Sequence, residues 1–283
     1  MPQKDLHEAN RQSWNLATEA HNSHKHDQAA FFRAGGSTLF SDEIELLGDV
    51  HGKALLHLQC NAGQDTLSLA RLGASVTGVD ISDTAIEFAR QLAAEAGIQA
   101  AFERADIFDW LEMTSETFDI VFTSYGALVW LDDLKAWAHG IARVLKPNGR
   151  LVLIDFHPIF GVFEEGWRLT YDYMGGTQLT FGGVGDYVAL SGSALTPSGY
   201  LEGIVEFRNP HPSHEFCWGV SDIVTAILEA GMRLVQLREY PYSNGFKRFS
   251  DMRELPGHRY AMPVGMPQLP LMLGIVASTA TGA

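Results

Sequence analysis

KALLHLQCNAGQDTLSLARLGASVTGVDIS, residues 53–82, decides the fold. Residues 54–59 are apolar enough for a strand buried on both faces. A tight turn follows at Asn61-Ala62-Gly63. Asp65 or Thr66 is placed to cap the next helix, and Gly73 sits where a helix stops. Residues 76–79 form the second β run, with Asp80 at its carboxyl end, 17 residues after Gly63. Ligands of open parallel sheets bind outside the carboxyl ends of the strands, where an acid can accept both hydroxyls of a ribose. The stretch reads as the first half of a nucleotide-binding α/β sheet.

The downstream sequence continues the pattern. Ala85, Ala89, Leu92 and Ala96 recur at helical spacing after the capping cluster Ser82-Asp83-Thr84. Leu134, Trp137, Ala138, Ile141 and Leu145 do the same after Asp132-Asp133, and Pro147 is expected to end that helix. Strands alternating with such helices imply βαβ units and a parallel sheet. Residues 221–230 read as a further helix closed by Gly231, and 233–240 and 269–277 as two last strands.

Composition sets the outer limits. At 283 residues, one sheet domain with additions is expected, and a hydrophobic share of 46% suffices for its core. A net charge of −14 argues against nucleic acid and against substrates held mainly through negative charge. Cys60 and Cys217 are too few for a disulfide framework. With no signal-like start and no apolar run of about 18–20 residues, a cytoplasmic protein without membrane contact is expected.

Two regions fall outside the sheet. Residues 1–51 carry a polar, partly helical pattern around 11–20. Residues 157–218 hold 11 aromatics in 62 positions, against 11% for the whole chain, so this insertion is read as an aromatic lid. Runs at 167–174, 186–191 and 200–208 suggest hairpins, with Glu202 and Glu206 on one solvated strand face.

The quoted stretch resembles motifs I and II of the class I S-adenosylmethionine (SAM)-dependent methyltransferases, in a bacterial small-molecule subgroup. Where the usual motif I has an acid and three glycines, this chain has His57, Gln59, Asn61 and Gly63. Asn61 is a tolerable substitute because Asn enters the left-handed region readily. Gln59 brings a side-chain amide to the donor, and His57 removes the usual carboxylate. Later motifs follow in order: Ala105-Asp106-Ile107 after 101–104, TFDIVFTS at 117–124, then LKPNG and RLVLIDF at 145–156. The likeness is strong over about 52–157 and weak over 221–278. It implies an α/β fold: a seven-stranded, mostly parallel Rossmann-like sheet, helices on both faces, and the last strand antiparallel. The N-terminal helical lid is assigned to 1–51, the SAM-binding domain to 52–157 and 219–283, and an inserted β-rich substrate cap to 158–218.

The resemblance also implies roles. Asp80 takes the ribose, Asp106 the adenine amino group, with Ile81 and Ile107 beside them. Gln59, Asn61, Gly63 and Ser124 face the donor, and Trp14 and His21 fold over it. Tyr125, Trp130 and Phe160 are assigned to the acceptor, and His157 or Tyr187 to a general base. An aromatic lining suits a sulfonium, since ring faces attract cations by ~0.5–2 kcal/mol. His21, His24 and His26 lack metal-site spacing, and Asp155 is a single acid, so no metal is expected. The expected activity is methyl transfer from SAM to C, N or O of a small aromatic or heterocyclic metabolite, indole- or phenol-like. Homo-oligomerisation is left open. An NAD(P)-dependent oxidoreductase is disfavoured because Gln59-Cys60-Asn61-Ala62-Gly63 lacks Gly-x-Gly-x-x-Gly. A non-catalytic SAM-binding protein is the remaining alternative.

Overall fold

The computed structural model describes residues 2–279. The outermost ends of the expected terminal segments, residue 1 and residues 280–283, lie outside them.

Three helices come first: α1 (Lys4–Ser23), α2 (Gln28–Arg33) and α3 (Ser41–Leu47). Helix α1 is much longer than the sequence pattern suggests. Its buried face is polar, because it serves backbone groups of irregular segments rather than an apolar core. Asn10 bonds both backbone groups of His214, and Ser13 Oγ accepts from Val184 N at 2.9 Å. Helix periodicity in apolar residues cannot register such a face.

The α/β core then runs β1 (Ala54–Leu58), α4 (Gln64–Arg71), β2 (Ser75–Asp80), α5 (Asp83–Ala96), β3 (Ala101–Arg104), α6 (Ile107–Met113), β4 (Phe118–Ser124), α7 (Leu134–Val144) and β5 (Leu145–Phe156). Ser82 and Asp133 cap α5 and α7 as expected. Helix α7 ends at Val144, ahead of Pro147, which lies in the turn that starts β5. Neither Asp65 nor Thr66 caps α4. Its N-cap is Gly63 at φ 79°, while Asp65 accepts from Thr38 Oγ1 and Thr66 Oγ1 meets His57 Nδ1 at 2.8 Å.

The remainder comprises α8 (Pro158–Gly161), β6 (Phe163–Glu164), β7 (Arg168–Leu169), β8 (Thr177–Phe181), α9 (Tyr187–Ser191), β9 (Ser213–Cys217), α10 (Val220–Glu229), β10 (Arg233–Tyr240), β11 (Tyr242–Asn244), β12 (Arg253–Leu255), β13 (Arg259–Ala261) and β14 (Met272–Ser278). The main sheet has seven strands in the order β10-β14-β5-β4-β1-β2-β3, with β14 antiparallel to both neighbours and the rest parallel. Strand order reverses between β1 and β4, which opens the crevice where such sheets bind ligands. Along β1, Leu56 and Leu58 pack with Trp137 and Ile141 on one face, and Leu55 with Phe122 and Val152 on the other. That double burial explains the unbroken apolar run.

The insertion is less β-rich than the sequence suggests. The 186–191 run is helix α9, capped by Asp186 Oδ1 accepting from Ala189 N. Near 167–174 only the two-residue β6–β7 ladder forms. Residues 200–208 make one isolated bridge, Tyr200 with Lys25, so Glu202 and Glu206 do not share a strand face. The longer ladder joins β8 and β9. Short alternating runs without a partner strand are held here by the end of α1 instead: Ile204 N donates to Ser23 Oγ at 2.9 Å, and Gly203 N to Nδ1 of the capping His24. Among the described residues, no helix is long and apolar enough to cross a membrane.

Candidate active site

A cavity of about 670 Å³ lies outside the carboxyl ends of β1, β2 and β4. The β1–α4 corner forms its floor. Gln59 (φ 55°) and Asn61 (φ 48°) both adopt the left-handed conformation that glycines usually supply. Asn61 N donates to Asp80 Oδ2 at 2.8 Å and Ser82 N to Oδ1 at 2.9 Å, so Asp80 ties the corner to the end of β2. Burial raises the Asp80 pKa against these backbone bonds. Gln59 Nε2 donates to Ala127 O at 2.8 Å, leaving its buried Oε1 without a partner. Gly63, by contrast, is absent from the cavity wall. A Cβ there would come within 2.7 Å of Ala89 Cβ and 2.8 Å of the Phe102 ring, so packing and its φ require the glycine.

His57 occupies the place of the missing acid but lies inside the protein, 2% exposed. Burial drives its pKa down to about 3, so it is a neutral group bonded to Thr66. The charge at this end comes from Lys25, which the sequence did not single out, and from Asp65, read there only as a helix cap. Lys25, between α1 and α2, lines the cavity, and its ammonium has no hydrogen-bond acceptor among the described residues. Burial lowers it to about 8, opposed by the nearby Asp65. Lys25 was hidden in the polar run around His24 and His26, whose only legible signal was the histidines. Those do not converge: His24 pairs with Asp186 at 2.7 Å and His26 is exposed. Among the described residues no cluster of three or more His, Cys, Asp or Glu side chains could hold a metal ion.

At the third strand, Asp106 borders the cavity but its oxygens already have donors. Phe108 N reaches Oδ1 at 2.9 Å, while His7 Nδ1 (2.7 Å) and Lys4 Nζ (3.0 Å) reach Oδ2. A carboxylate has about four lone-pair positions, so one remains. Ile81 and Ile107 line the same wall.

Ser124 ends β4 and Tyr125 follows it, and both line the cavity. Tyr125 sits at φ 42°, and its hydroxyl accepts from Asn244 Nδ2 at 3.0 Å. Buried Asp155 fixes the loop that follows by accepting from Ala127 N (3.0 Å) and Leu128 N (2.9 Å).

Above the floor, α1 and the insertion bring rings together. Trp14 meets Trp130 edge-on at 5.4 Å, and His21 lies against Tyr187 at 4.2 Å. His21 Nε2 donates to Gly185 O at 2.9 Å, which leaves the Nδ1 lone pair bare, and burial lowers its pKa to about 4. Tyr187 has no hydrogen-bond partner for its hydroxyl among the described residues. Burial, then the negative charges of Asp186, Asp80 and Asp65, push its pKa up, so at neutral pH it is a donor and not a base. Phe160 is fully buried at the far end, among Phe156, Trp167, Phe246 and Phe249.

The expectation of His157 as a base is corrected. Its Nδ1 accepts from Ile159 N at 3.1 Å, capping α8, and Nε2 lies 2.9 Å from Glu239 Oε1. With Nδ1 accepting, Nε2 carries the hydrogen and donates, so no lone pair is left to take a proton.

Comparison with known proteins agrees with this geometry. Residues 55–149 match the model of a family described as "Methyltransferase domain". A ubiquinone biosynthesis O-methyltransferase of Alkalilimnicola ehrlichii is 31% identical over 108 residues, 38% of this chain and 43% of that protein. The match thus spans less than half the length of such curated relatives. A SAM-dependent methyltransferase structure from Mesorhizobium loti superposes with a TM-score of 0.54 at 19% identity, covering 86% of this chain and 99% of that one. The [4+2]-cyclase SpnF gives a TM-score of 0.51 at 15% identity over 85% and 79% of the two chains. The fold therefore serves more than one chemistry. Residues 55–149 are thus similar to a methyltransferase domain, and the sheet order is that of the Rossmann-like S-adenosylmethionine-dependent methyltransferase fold.

Proposed function

We propose that this protein transfers a methyl group from SAM to a small, ring-bearing acceptor enclosed by α1 and the inserted segment. The observation that carries this reading is one continuous cavity, from the Asp80 corner to the aromatic cluster around Phe160. Its volume falls in the range of about 300–1,000 Å³ typical of ligand pockets.

The residues present suit the donor. Asp80 offers a carboxylate at the ribose position, and the partnerless Oε1 of Gln59 is a buried acceptor beside it. Asp106 retains one lone pair for an adenine amino group. Trp14, His21, Tyr187 and Trp130 supply ring faces of the kind that would suit a sulfonium. Lys25 and Asp65 offer opposite charges to an amino-acid terminus in place of the acid that His57 lacks. When bound, SAM supplies an electrophilic methyl on a sulfonium. The protein's part is to align the acceptor and exclude water. Tyr187 is assigned to orient the acceptor through its protonated hydroxyl. His21, with Nδ1 bare, is the group able to receive a proton, and its low pKa suits it to a weakly basic role only. The acceptor side is assigned to Tyr125, Trp130 and Phe160.

The test is calorimetric titration with SAM, S-adenosylhomocysteine and NADH, followed by methyl transfer to a small-molecule panel. Saturable SAM binding without NADH binding, and transfer to an acceptor, is the expected result. NADH binding alone would return the protein to the oxidoreductases, and SAM binding without transfer to a non-catalytic binder.

A further inference from the structure

The acceptor end of the cavity contains two opposite charges that do not touch. The β8–β9 register pairs Thr177 with Cys217, Leu179 with Glu215, and Phe181 with Ser213, so these side chains share one face. Glu215 is the charged residue on that face, and it lines the cavity beside Leu179 and Phe181. Among the described residues it makes no hydrogen bond and no ion pair. Arg248, in the segment after β11, borders the same cavity. Its guanidinium lies over the rings of Phe160 at 5.6 Å and Phe249 at 5.4 Å, and Nη2 donates to Phe163 O at 2.9 Å. The other guanidinium nitrogens have no acceptor among the described residues.

Burial works against both charges, raising the Glu215 pKa and lowering that of Arg248, and each partly offsets the other from a distance. Tyr171 feels both charges and packs edge-on against Phe181 at 5.9 Å. Both side chains are half-buried, and a charge partly withdrawn from water without an ionic partner is costly. Side chains long enough to meet would be expected to collapse into an ion pair. Here the hairpin backbone holds Glu215 and the aromatic clamp holds Arg248 apart. A ligand with one charge would leave the other side chain unpaired, and a plain phenol or indole would answer neither.

Resting on the methyl-transfer reading above, we propose that the acceptor is a zwitterionic amino-acid-type molecule with an aromatic or lipophilic body, its ammonium held by Glu215 and its carboxylate by Arg248.

The experiment uses the full chain saturated with S-adenosylhomocysteine. Binding of the common aromatic and aliphatic amino acids is measured by calorimetry beside their decarboxylated amines and their N-acetylated acids. The expected result is that a free amino acid binds about 10- to 150-fold more tightly than its two truncated forms, the range for hydrogen bonds to charged groups. Glu215→Gln should abolish the preference for the free ammonium, and Arg248→Gln the preference for the carboxylate. Arg248→Lys, which keeps the charge, should retain part of it if the Gln variant does not fold. S-adenosylhomocysteine affinity should stay at the wild-type value in each folded variant. The proposal is overturned if no free amino acid binds better than its truncated forms, or if Glu215→Gln leaves that preference intact, while S-adenosylhomocysteine still binds. Failure of the wild-type chain to bind S-adenosylhomocysteine would instead sink the donor site itself.

Discussion

Asp80→Asn separates ligand recognition from architecture. Asn has nearly the same shape, but its amide nitrogen must replace one carboxylate oxygen. Both oxygens now accept backbone N–H groups, from Asn61 at 2.8 Å and from Ser82 at 2.9 Å. One of those donors will face an NH₂ and lose its partner. An orphaned buried donor costs about 1–3 kcal/mol of stability. Part of that is offset, because burial already disfavours the Asp80 charge. On the ligand side, replacing a charged acceptor under the ribose should weaken S-adenosylhomocysteine by about 1.5–3 kcal/mol, roughly 10- to 150-fold in Kd. Urea denaturation gives the first quantity and calorimetric titration of the folded variant gives the second. A folded Asp80→Asn protein that binds S-adenosylhomocysteine at the wild-type Kd refutes the ribose assignment. Asp80→Ala is the poorer probe, since it strands both N–H groups and mixes corner collapse with lost contact.

Tyr187→Phe should slow methyl transfer while leaving S-adenosylhomocysteine affinity unchanged; an unaltered turnover number removes the hydroxyl from the reaction. His157→Asn keeps a side-chain acceptor for the Ile159 amide, so activity should fall by far less than the about 10²–10⁴-fold expected for loss of a general base. A loss of that size would reinstate His157. His7 stands between Asp106 (2.7 Å) and Asp132 (3.1 Å). Burial opposes its charge, yet the two carboxylates raise its pKa from 6.5 to about 9. The folded value lies above the unfolded one, so this contribution is complete below pH 6.5 and lost as pH rises through about 9. The stability of wild type relative to His7→Gln should shrink across that window, followed by urea denaturation. Parallel pH profiles would show that His7 does not anchor α1.

Much of the sheet is legible in the sequence. The strands of a parallel sheet are buried on both faces, so 54–59 and 150–156 show as continuous apolar runs, and capping residues such as Ser82 and Asp133 act within one helical turn. The same local logic failed where a segment's partner is remote. Residues 186–191 alternate like a strand but form a helix against α1, and the long α1 was underestimated because its inner face bonds loop backbone instead of apolar side chains.

The candidate site shows the same division. Sequence alone carried the corner, the acid at the end of β2 and the aromatic weight of the insertion, because each is a pattern of neighbouring residues. It did not carry protonation or partnership. His157 looked like a base until the structure gave both its nitrogens to Ile159 and Glu239. Asp65 read only as a helix cap and Lys25 not at all, until the fold brought both half-buried to one cavity wall. Glu215 and Arg248, far apart in the chain, became a pair only when a hairpin and a ring cluster set them in one cavity. Chain-local geometry follows from steric and hydrogen-bonding rules over a few residues. The charge state and reach of a side chain depend on the desolvation and charges that distant segments impose, and those exist only once the chain has folded.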